Sequence, residues 1–417
     1  MGLIHYSKRG ATSVFLTMIL ASILMVVSLF IHAASQNAGR SYADAVFDLA
    51  GRSVLSEYDI QLQKRYGIFA VHTDERQAEE KVRYYADYSF HNNFLKEALR
   101  DKNYIDLLKL ELESVHVNLK GYSMTDTDNF EKQILDYMKY GLIKDYLSNE
   151  KAYQQEESNI ELKNEQVISS LPSNGYSSNI FTDLKRIAEN GLPSLKEIEK
   201  AGKDNFLVDE YIMRNFLNHR RGNETRDTFF SNEVEYLLKG NFNDQENYDA
   251  VRRDLFIMRS ALNLIHISSD PDKQRQIKEI AAFLTIVKGE KVGEAFIEGE
   301  WAAAEAENDL RLLEEGKQVP LKKGRDNWAV QLHRSVEFIW KEDYIEPRKM
   351  NGYNYEEYLR ILLFLENREK KLLRCMDLIQ LNMKGSYNQG FDLKEYYGGF
   401  QFEAVAKERK FTYIQKF

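Results

Sequence analysis

The stretch SVFLTMILASILMVVSLFIHAA, Ser13 to Ala34, organises the whole chain. From Val14 to Ala34 it contains no charged residue and only one titratable residue, His32. As a helix rising about 1.5 Å per residue it would cross the roughly 30 Å hydrocarbon core of a bilayer. A cleavable signal has a shorter apolar region, about 7–15 residues, followed by a small-x-small site, and HAASQN is a poor site of that kind. We therefore expect a retained transmembrane helix at residues 13–34.

The charges that flank this helix predict its orientation. Lys8 and Arg9 lie on its N-terminal side, whereas Arg40 on the other side is balanced by nearby acidic residues. Because positively charged flanks stay in the cytoplasm, we expect a cytoplasmic tail at residues 1–12. Residues 35–417 are then expected outside a single-pass cell membrane protein.

Composition excludes several classes of partner and of chemistry. The chain has 417 residues and a formal net charge of −8, and nucleic-acid binding requires a basic face, so no nucleic-acid partner is expected. The single cysteine, Cys375, excludes an intramolecular disulfide, and its apolar surroundings LLRCMDLI predict a buried side chain. No nucleotide-binding, nucleophile-elbow or metal-ligand motif is present. We therefore expect no cofactor, no metal and no catalytic residue.

The helical periodicity continues beyond the apolar run and predicts a stem helix at residues 35–65. An apolar stripe that leaves the membrane must be covered by the protein itself or by another helix. We predict that Tyr42, Val46 and Leu49 contact a partner helix. The stripe consists of Ala38, Tyr42, Ala45, Val46, Leu49, Ala50, Val54, Tyr58 and Leu62.

Alternating residues predict a small sheet. In ELESVHVNLKGYS, apolar and polar side chains alternate from Val115 to Lys120, which is typical of a half-buried strand. The C-terminal GGFQFEAVAKERKFTYIQKF alternates twice around a polar turn and predicts a hairpin. An isolated hairpin is marginally stable and its edges invite aggregation. We therefore expect the hairpin, Phe400 to Phe417, to pair with the strand near Val115 to Leu119 beside the stem helix.

The remainder of the chain has helical periodicity. Helix starts are predicted at Asp128, with Glu131 completing a D-x-x-E pattern, and at Asp270 followed by Pro271. The predicted fold class is mainly α (α+β), with a large helical insertion in a pilin-like α+β unit. The predicted divisions beyond the stem are a pilin-like unit at 66–125, a helical domain at 126–395 with a polar linker at 148–178, and the hairpin at 396–417.

Two groups of residues are candidates for polymer-binding or catalytic sites. Glu294, Glu298 and Glu305 lie near Trp301 in one helical segment, and paired carboxylates are the groups that cleave glycosidic bonds. Acids on one side of an Ala-rich amphipathic helix are more often a solvated face, and we prefer that interpretation. The tyrosine pairs Tyr84-Tyr85 and Tyr396-Tyr397 could stack on a wall glycan, but tyrosines in such number mostly serve packing.

The chain resembles a Gram-positive family of single-span extracytoplasmic proteins encoded among tight-adherence (Flp/Tad) pilus genes. The residues that carry the resemblance are the ordered segments SYADAVFDLAGRSVLSEYDIQLQKRYGIFAV, EKQILDYMKYG, RSALNLIHISSDPDK, WAAAEAENDLRLLEEGKQVP, YEEYLRILLFL and RCMDLIQLNM. The N-terminal region of that family is similar to the TadE/TadG pseudopilins. Processed pilins have Glu at the fifth position after the cleaved Gly, whereas the fifth residue after Gly10 here is Phe15. The resemblance implies a pseudopilin-like anchor and brings no catalytic residue.

Three functional classes follow. The preferred one is a membrane-anchored structural or assembly component of a Tad-type pilus, whose partners are the membrane and other pilin-like or pilus-assembly proteins. The alternatives are a cell-wall-polymer-binding module or hydrolase, and the outer domain of a sensor. The short cytoplasmic tail disfavours the sensor, because it leaves no room for an output domain.

Overall fold

A computed structural model describes residues 8–91, 110–147, 171–173, 202–221, 227–288, 293–338 and 343–417. The chain is mostly helical, begins with one long helix and has two small antiparallel sheets that use its C-terminal strands. The mainly α (α+β) prediction is therefore confirmed. The fold divides into two compact units: unit 1 comprises Met1–Asp59, Phe69–Ser123 and Lys394–Phe417, and unit 2 comprises Ile60–Ile68 and Met124–Leu393.

Unit 1 contains two helices and five strands among its described residues. Its elements are α1 (Lys8–Leu55), β1 (Val71–His72), α3 (Glu75–His91), β2 (Leu112–Asn118), β3 (Tyr396–Tyr397), β4 (Gly399–Ala406) and β5 (Arg409–Lys416). The helix α2 (Ile60–Tyr66) lies between α1 and β1 in the sequence but belongs to unit 2.

The helix α1 ends at Leu55, ten residues before the predicted end of the stem. The backbone leaves the helix because Tyr58 packs its ring against Phe69 and Phe417, at centroid distances of 5.0 and 6.1 Å. The next amide, Asp59 N–H, donates to the carbonyl of Ala70 at 2.9 Å instead of continuing the helix. The sequence shows no break here, because tertiary contacts of an aromatic side chain end the helix rather than a proline or glycine.

The main sheet has the strand order β2-β4-β5, and both pairs are antiparallel. Val115 lies opposite Ala404 and Val117 opposite Phe402, so the C-terminal hairpin pairs with the predicted strand. That pairing, placed within the same unit as α1, confirms the predicted arrangement. A second, two-residue ladder joins β1 to β3, with Val71 opposite Tyr397.

The alternation in the strands produces one buried sheet face. Phe400, Phe402 and Ala404 are at most 2 % exposed, and they share a core with side chains of α1 and α3. The outer edge of β2 is protected by α3, whose Glu79 and Glu75 carboxylates accept hydrogen bonds from amides of the strand and the residue after it. A covered edge cannot template further strand pairing, so the sheet ends at β2 on this side.

A glycine lets α1 approach the sheet closely. At Gly51, an added Cβ would lie 2.7 Å from Cγ of Gln415 and 2.8 Å from Cε1 of Phe402. Glycine in a helix interior costs about 1 kcal/mol relative to alanine. Glycine is nevertheless needed here, because the helix packs so closely on the sheet that a larger residue would not fit.

Unit 2 is helical throughout its described secondary structure, apart from short 3₁₀ turns and one isolated bridge between Val319 and Tyr353. The helix Asp244–Ser269 packs along the helix Glu294–Glu314, and the helix Arg368–Ser386 is buried along most of its length. Besides α2, its helices are α4 (Thr127–Leu147), α5 (Lys203–Asn215), α6 (Glu233–Lys239), α7 (Asp244–Ser269), α8 (Pro271–Lys288), α9 (Glu294–Glu314), α10 (Ser335–Phe338), α11 (Tyr355–Leu365) and α12 (Arg368–Ser386).

The predicted helix starts are partly right. Asp270 accepts hydrogen bonds from the amides of Asp272 and Lys273, and α8 begins at Pro271, as expected. The start at Asp128 is wrong, because the carboxylate of Asp126 accepts from the amides of residues 128 and 129 and thereby caps α4. Only Asp128 fits the D-x-x-E pattern in sequence, whereas the helix begins at Thr127 and is capped by the earlier Asp126. The predicted linker at 148–178 lies outside the described residues except for 171–173.

Candidate functional site

The N-terminal half of α1 is an apolar helix whose side chains are exposed. Its large hydrophobic residues range from 42 % exposed at Ile19 to 73 % exposed at Phe30. Among the described residues this is the one helix long and apolar enough to span a membrane. Exposed apolar surface of this extent is typical of a membrane or protein interaction site.

The C-terminal half of α1 is covered on one face by its own unit. Phe47 is fully buried, with its ring 5.6 Å from Phe90, 5.2 Å from Phe411 and 6.5 Å from Tyr413. The helical spacing of the buried residues places them on one stripe. They are Ala43, Val46, Phe47, Ala50 and Val54, none more than 5 % exposed.

The structure separates the three residues predicted to contact a partner. Val46 is 5 % exposed and belongs to the core, so it does not present a surface. Tyr42 is partly buried, and its hydroxyl donates to the carbonyl of Ser89 at 2.9 Å. Leu49 is 56 % exposed. Contact with a partner stays a prediction, and Leu49 is the member of the three whose side chain is accessible.

A second face of the stem, opposite the covered stripe, is exposed. We call it the outer stem face: it begins one turn beyond the apolar run and carries small side chains, one leucine and one arginine. Its polar and small character allows it to lie in water, and it continues along α1 from the apolar run. It consists of Ala38, Ser41, Ala45, Leu49 and Arg52.

Hydrogen bonds fasten the hairpin strand β5 along α1. Gln415 donates to Asp48 at 3.0 Å, and the hydroxyl of Tyr413 donates to the carboxylate of Asp44. Burial, and then the bond to Asp44, raise the pKa of Tyr413. The phenol is protonated at neutral pH, as an ordinary tyrosine is, and its hydrogen bond to Asp44 helps to hold the stem as part of unit 1.

The tyrosines considered for glycan stacking have different environments. Tyr396 is 3 % exposed and bonds to Asp59, and the hydroxyl of Tyr85 donates to Glu57 at 2.7 Å. Tyr84 is 64 % exposed and lies on the same face of α3 as Tyr88, which is 58 % exposed. Their rings are stacked at a centroid distance of 6.4 Å. Sequence reasoning missed Tyr88, although its spacing of four residues from Tyr84 was a usable signal.

The carboxylates near Trp301 do not form one solvent-facing group. Glu294 is exposed in the first turn of α9, and Glu298 accepts a hydrogen bond from Gln274 at 2.8 Å. Glu305 is fully buried and accepts from the amides of residues 329 and 330 at 2.7–3.2 Å. The expectation of a solvated face is thus wrong for Glu305, which fixes a loop inside unit 2.

Glu305 belongs to a buried ionic cluster that sequence reasoning did not find. Lys323 forms ion pairs with Glu305 and Asp309, and Arg259 contacts Asp309 at 2.9 Å. Arg259 also donates to the carbonyl oxygens of Pro320 and Leu321 at 3.0 and 3.1 Å. Burial raises the pKa of Glu305, against the opposing effect of the Lys323 ammonium. Because both cations and both anions are enclosed and paired, the cluster ties the loop that follows α9 to the helices, and loss of one partner would leave an uncompensated buried charge.

The described part of the chain contains no cluster of metal ligands. No group of three or more His, Cys, Asp or Glu side chains there could hold a metal ion. An open cleft of about 600 Å³ in unit 1 is lined by charged and polar residues including Asp74, Arg76, Lys120 and Tyr397.

Comparison with known proteins assigns the chain to a family. No curated protein and no solved structure matches the chain. A family model described as "Family of unknown function (DUF5702)" matches residues 117–408. The match leaves out α1 and all of β5 and includes all of the described helices of unit 2 from α4 onward. Since it covers more than two thirds of the sequence, the chain belongs to the DUF5702 family of unknown function.

Proposed function

We propose that the chain is a membrane-anchored, extracytoplasmic structural or assembly component of a Tad-type pilus, acting through helix and surface contacts without catalysis. In this proposal residues 13–34 span the cell membrane with the N-terminus inside, and residues 35–417 lie outside. The pilus setting derives from the resemblance of the N-terminal region to TadE/TadG pseudopilins. Retention of the span is supported by Phe15, which stands at the position where processed pilins have a glutamate.

The observation that carries the proposal is the division of α1 into covered and uncovered surfaces. The exposed apolar half runs without a break into a stem whose outer face, from Ala38 to Arg52, remains exposed after unit 1 has covered the other side. Small residues on a helix allow a second helix to approach closely. A neighbouring single-span protein with a similar stem could therefore pack against α1 both in the bilayer and just outside it.

A pair of charge substitutions tests this function. Leu49→Glu places a charge on the outer stem face, whereas Ile60→Glu places one at an equally exposed apolar residue of unit 2, since both side chains are 56 % exposed. We expect Leu49→Glu to abolish co-purification with pilin-like proteins and surface piliation, and Ile60→Glu to leave both intact. Membrane insertion, measured by flotation of the protein with vesicles, should be unchanged in both variants.

The test also separates the pilus function from the wall-polymer function. The exposed, stacked pair Tyr84 and Tyr88 favours polymer binding as the second candidate. If Leu49→Glu piliates normally while Tyr84→Ala combined with Tyr88→Ala abolishes binding to isolated cell walls, the pilus proposal is wrong. External protease on protoplasts tests the topology, because it should remove the part beyond residue 35 and leave a membrane-bound stub.

A further inference from the structure

Asn205 and Asp209 lie one turn apart on α5 and contact the same lysine of α12. Side chains four residues apart share one face of a helix. The side-chain nitrogen of Lys371 donates to Oδ1 of Asn205 at 2.9 Å and forms an ion pair with the carboxylate of Asp209. All three residues belong to unit 2. A primary amine, a carboxamide and a carboxyl group therefore meet at one point.

The amine of Lys371 lies close to the carbon of the carboxamide. A nitrogen 2.9 Å from the Oδ1 of Asn205 is between about 3.1 and 4.1 Å from its Cγ, because the C=O bond is about 1.23 Å long. Reacting atoms that are poised for attack are about 3–3.5 Å apart. A small rotation of the lysine side chain or of the amide plane is therefore sufficient to bring the nitrogen over the carbon.

Burial favours the uncharged forms of the Lys371–Asp209 pair. Lys371 is fully buried and Asp209 is 3 % exposed, and the Oδ2 of Asp209 accepts no hydrogen bond from any residue that the structure describes. Burial raises the pKa of Asp209 to about 6, against the opposing effect of the Lys371 ammonium. Because a buried charge costs more than a buried neutral group, the enclosure favours transfer of one proton from the ammonium to the carboxylate. A desolvated, uncharged lysine is a nucleophile.

We propose that Lys371 and Asn205 condense into an isopeptide bond, with Asp209 moving the protons, so that α5 and α12 become covalently joined. Lys371 gives a proton to Asp209, and its lone pair forms a bond to Cγ of Asn205 while the carbonyl electrons move onto Oδ1. Asp209 then gives its proton to Nδ2 and accepts one from Nζ. The carbonyl re-forms, the Cγ–Nδ2 bond breaks and ammonia leaves. Asn205 is half-buried, so the ammonia can reach water.

The bond would give unit 2 a covalent restraint that a disulfide cannot provide. The chain has one cysteine, which leaves no intramolecular disulfide. The isopeptide bond joins residues that are 166 positions apart. A cross-link that closes a long loop stabilises the folded state by restricting the unfolded chain. The reaction needs no other reactant, because all of its groups lie in unit 2.

Intact mass spectrometry of the full chain, purified in detergent and then denatured, tests the bond. We expect the wild-type chain to be lighter than its sequence by one ammonia, and tandem spectra of a protease digest to contain a branched peptide that joins residues 205 and 371. Lys371→Arg keeps a cation beside Asp209 but removes the nucleophile, so this variant should have its full sequence mass. The matched control is Lys370→Arg, which changes the neighbouring buried lysine, bonded to Glu366 at 2.9 Å, and should still lose ammonia.

The role of Asp209 is measured by the rate of bond formation. Samples taken at intervals after synthesis give the cross-linked fraction from its mass. Proton transfer by a positioned carboxyl group contributes about 100-fold or more to a rate, so Asp209→Ala should slow the reaction by at least that factor. A variant that cross-links at the wild-type rate overturns the assignment of the proton transfers to Asp209.

The wild-type chain decides the proposal even where a variant fails to fold. A wild-type chain of full sequence mass, or a digest that contains only the two unbranched peptides, overturns the isopeptide bond. An ammonia loss that persists in Lys371→Arg arises elsewhere in the chain, such as from a succinimide at Asn351-Gly352, and overturns it as well. A branched peptide that joins Lys371 to another residue overturns the choice of Asn205.

Discussion

Replacing Phe47 by alanine should destabilise the packing of the stem helix against the sheet of unit 1. Phe47 is fully buried, and its ring contacts Phe90 of α3 and Phe411 and Tyr413 of β5. It therefore links three elements of one core. Truncating a buried phenylalanine to alanine costs about 3–5 kcal/mol, because transfer free energy is lost and a cavity remains.

The expected effect on local opening is large. A loss of 3–5 kcal/mol corresponds to an increase of about 100-fold to several thousand-fold in the opening equilibrium. Hydrogen exchange of the amides of β4, the central strand, reports this opening directly. The measurement is made on the full chain in nanodiscs, with Leu49→Ala as the control on the same helix. Because Leu49 is 56 % exposed, its truncation should cost less than about 0.5 kcal/mol.

The comparison of these two variants can refute the assignment of faces. If Leu49→Ala accelerates exchange in β4 as strongly as Phe47→Ala, the covered and outer faces of α1 have been confused. If neither variant changes the exchange of β4, the stem does not pack on the sheet. In either case the outer stem face would no longer be the surface available to a partner.

Three further predictions concern packing, charge and pH. Gly51→Ala should destabilise unit 1 by about 1–3 kcal/mol in the same exchange assay despite alanine's better helix propensity, because its Cβ would overlap Gln415 and Phe402; a stabilised variant would contradict the close packing. Glu305→Ala should cost unit 2 about 3–5 kcal/mol in thermal unfolding, because Lys323 loses a buried partner, whereas Glu294→Ala on the same helix should change little. Burial raises the pKa of Glu235 from 4.5 to about 7, so the folded state binds this proton more tightly and the stability of unit 2 should fall as pH rises from about 4.5 to 7. Glu235→Gln should flatten that slope in urea titrations at several pH values, and an unchanged slope would assign it to other groups.

The sheet and its pairing could be predicted because strands alternate with a period of two. Val115, Val117 and Leu119 are buried and His116 is exposed, as the alternation required. The C-terminal hairpin was then the expected partner of this strand, because exposed strand edges need to be paired or covered. The start of α8 at Pro271 could also be predicted, because the capping residue Asp270 and the proline are adjacent in sequence.

The features that escaped sequence reasoning depend on contacts between distant residues. The stem ends early because Tyr58 packs on aromatic rings 11 and 359 positions away in the chain, at Phe69 and Phe417. The ionic cluster joins Arg259, Asp309 and Lys323, whose spacing follows no local pattern. The periodicity of α1 identified an amphipathic helix but could not show which apolar residues unit 1 would cover. Val46 and Leu49 therefore received the same prediction although one is buried and the other exposed.

Photo-crosslinking from the outer stem face tests the proposed function most directly. A photoreactive amino acid is placed at Leu49 in intact cells, with the equally exposed Ile60 as the matched control position. The proposal predicts that position 49 crosslinks to a single-span, pilin-like membrane protein and that position 60 does not. If position 49 yields no protein adduct, or yields only wall polymer, then the stem does not act by helix contact and the proposed pilus function is contradicted.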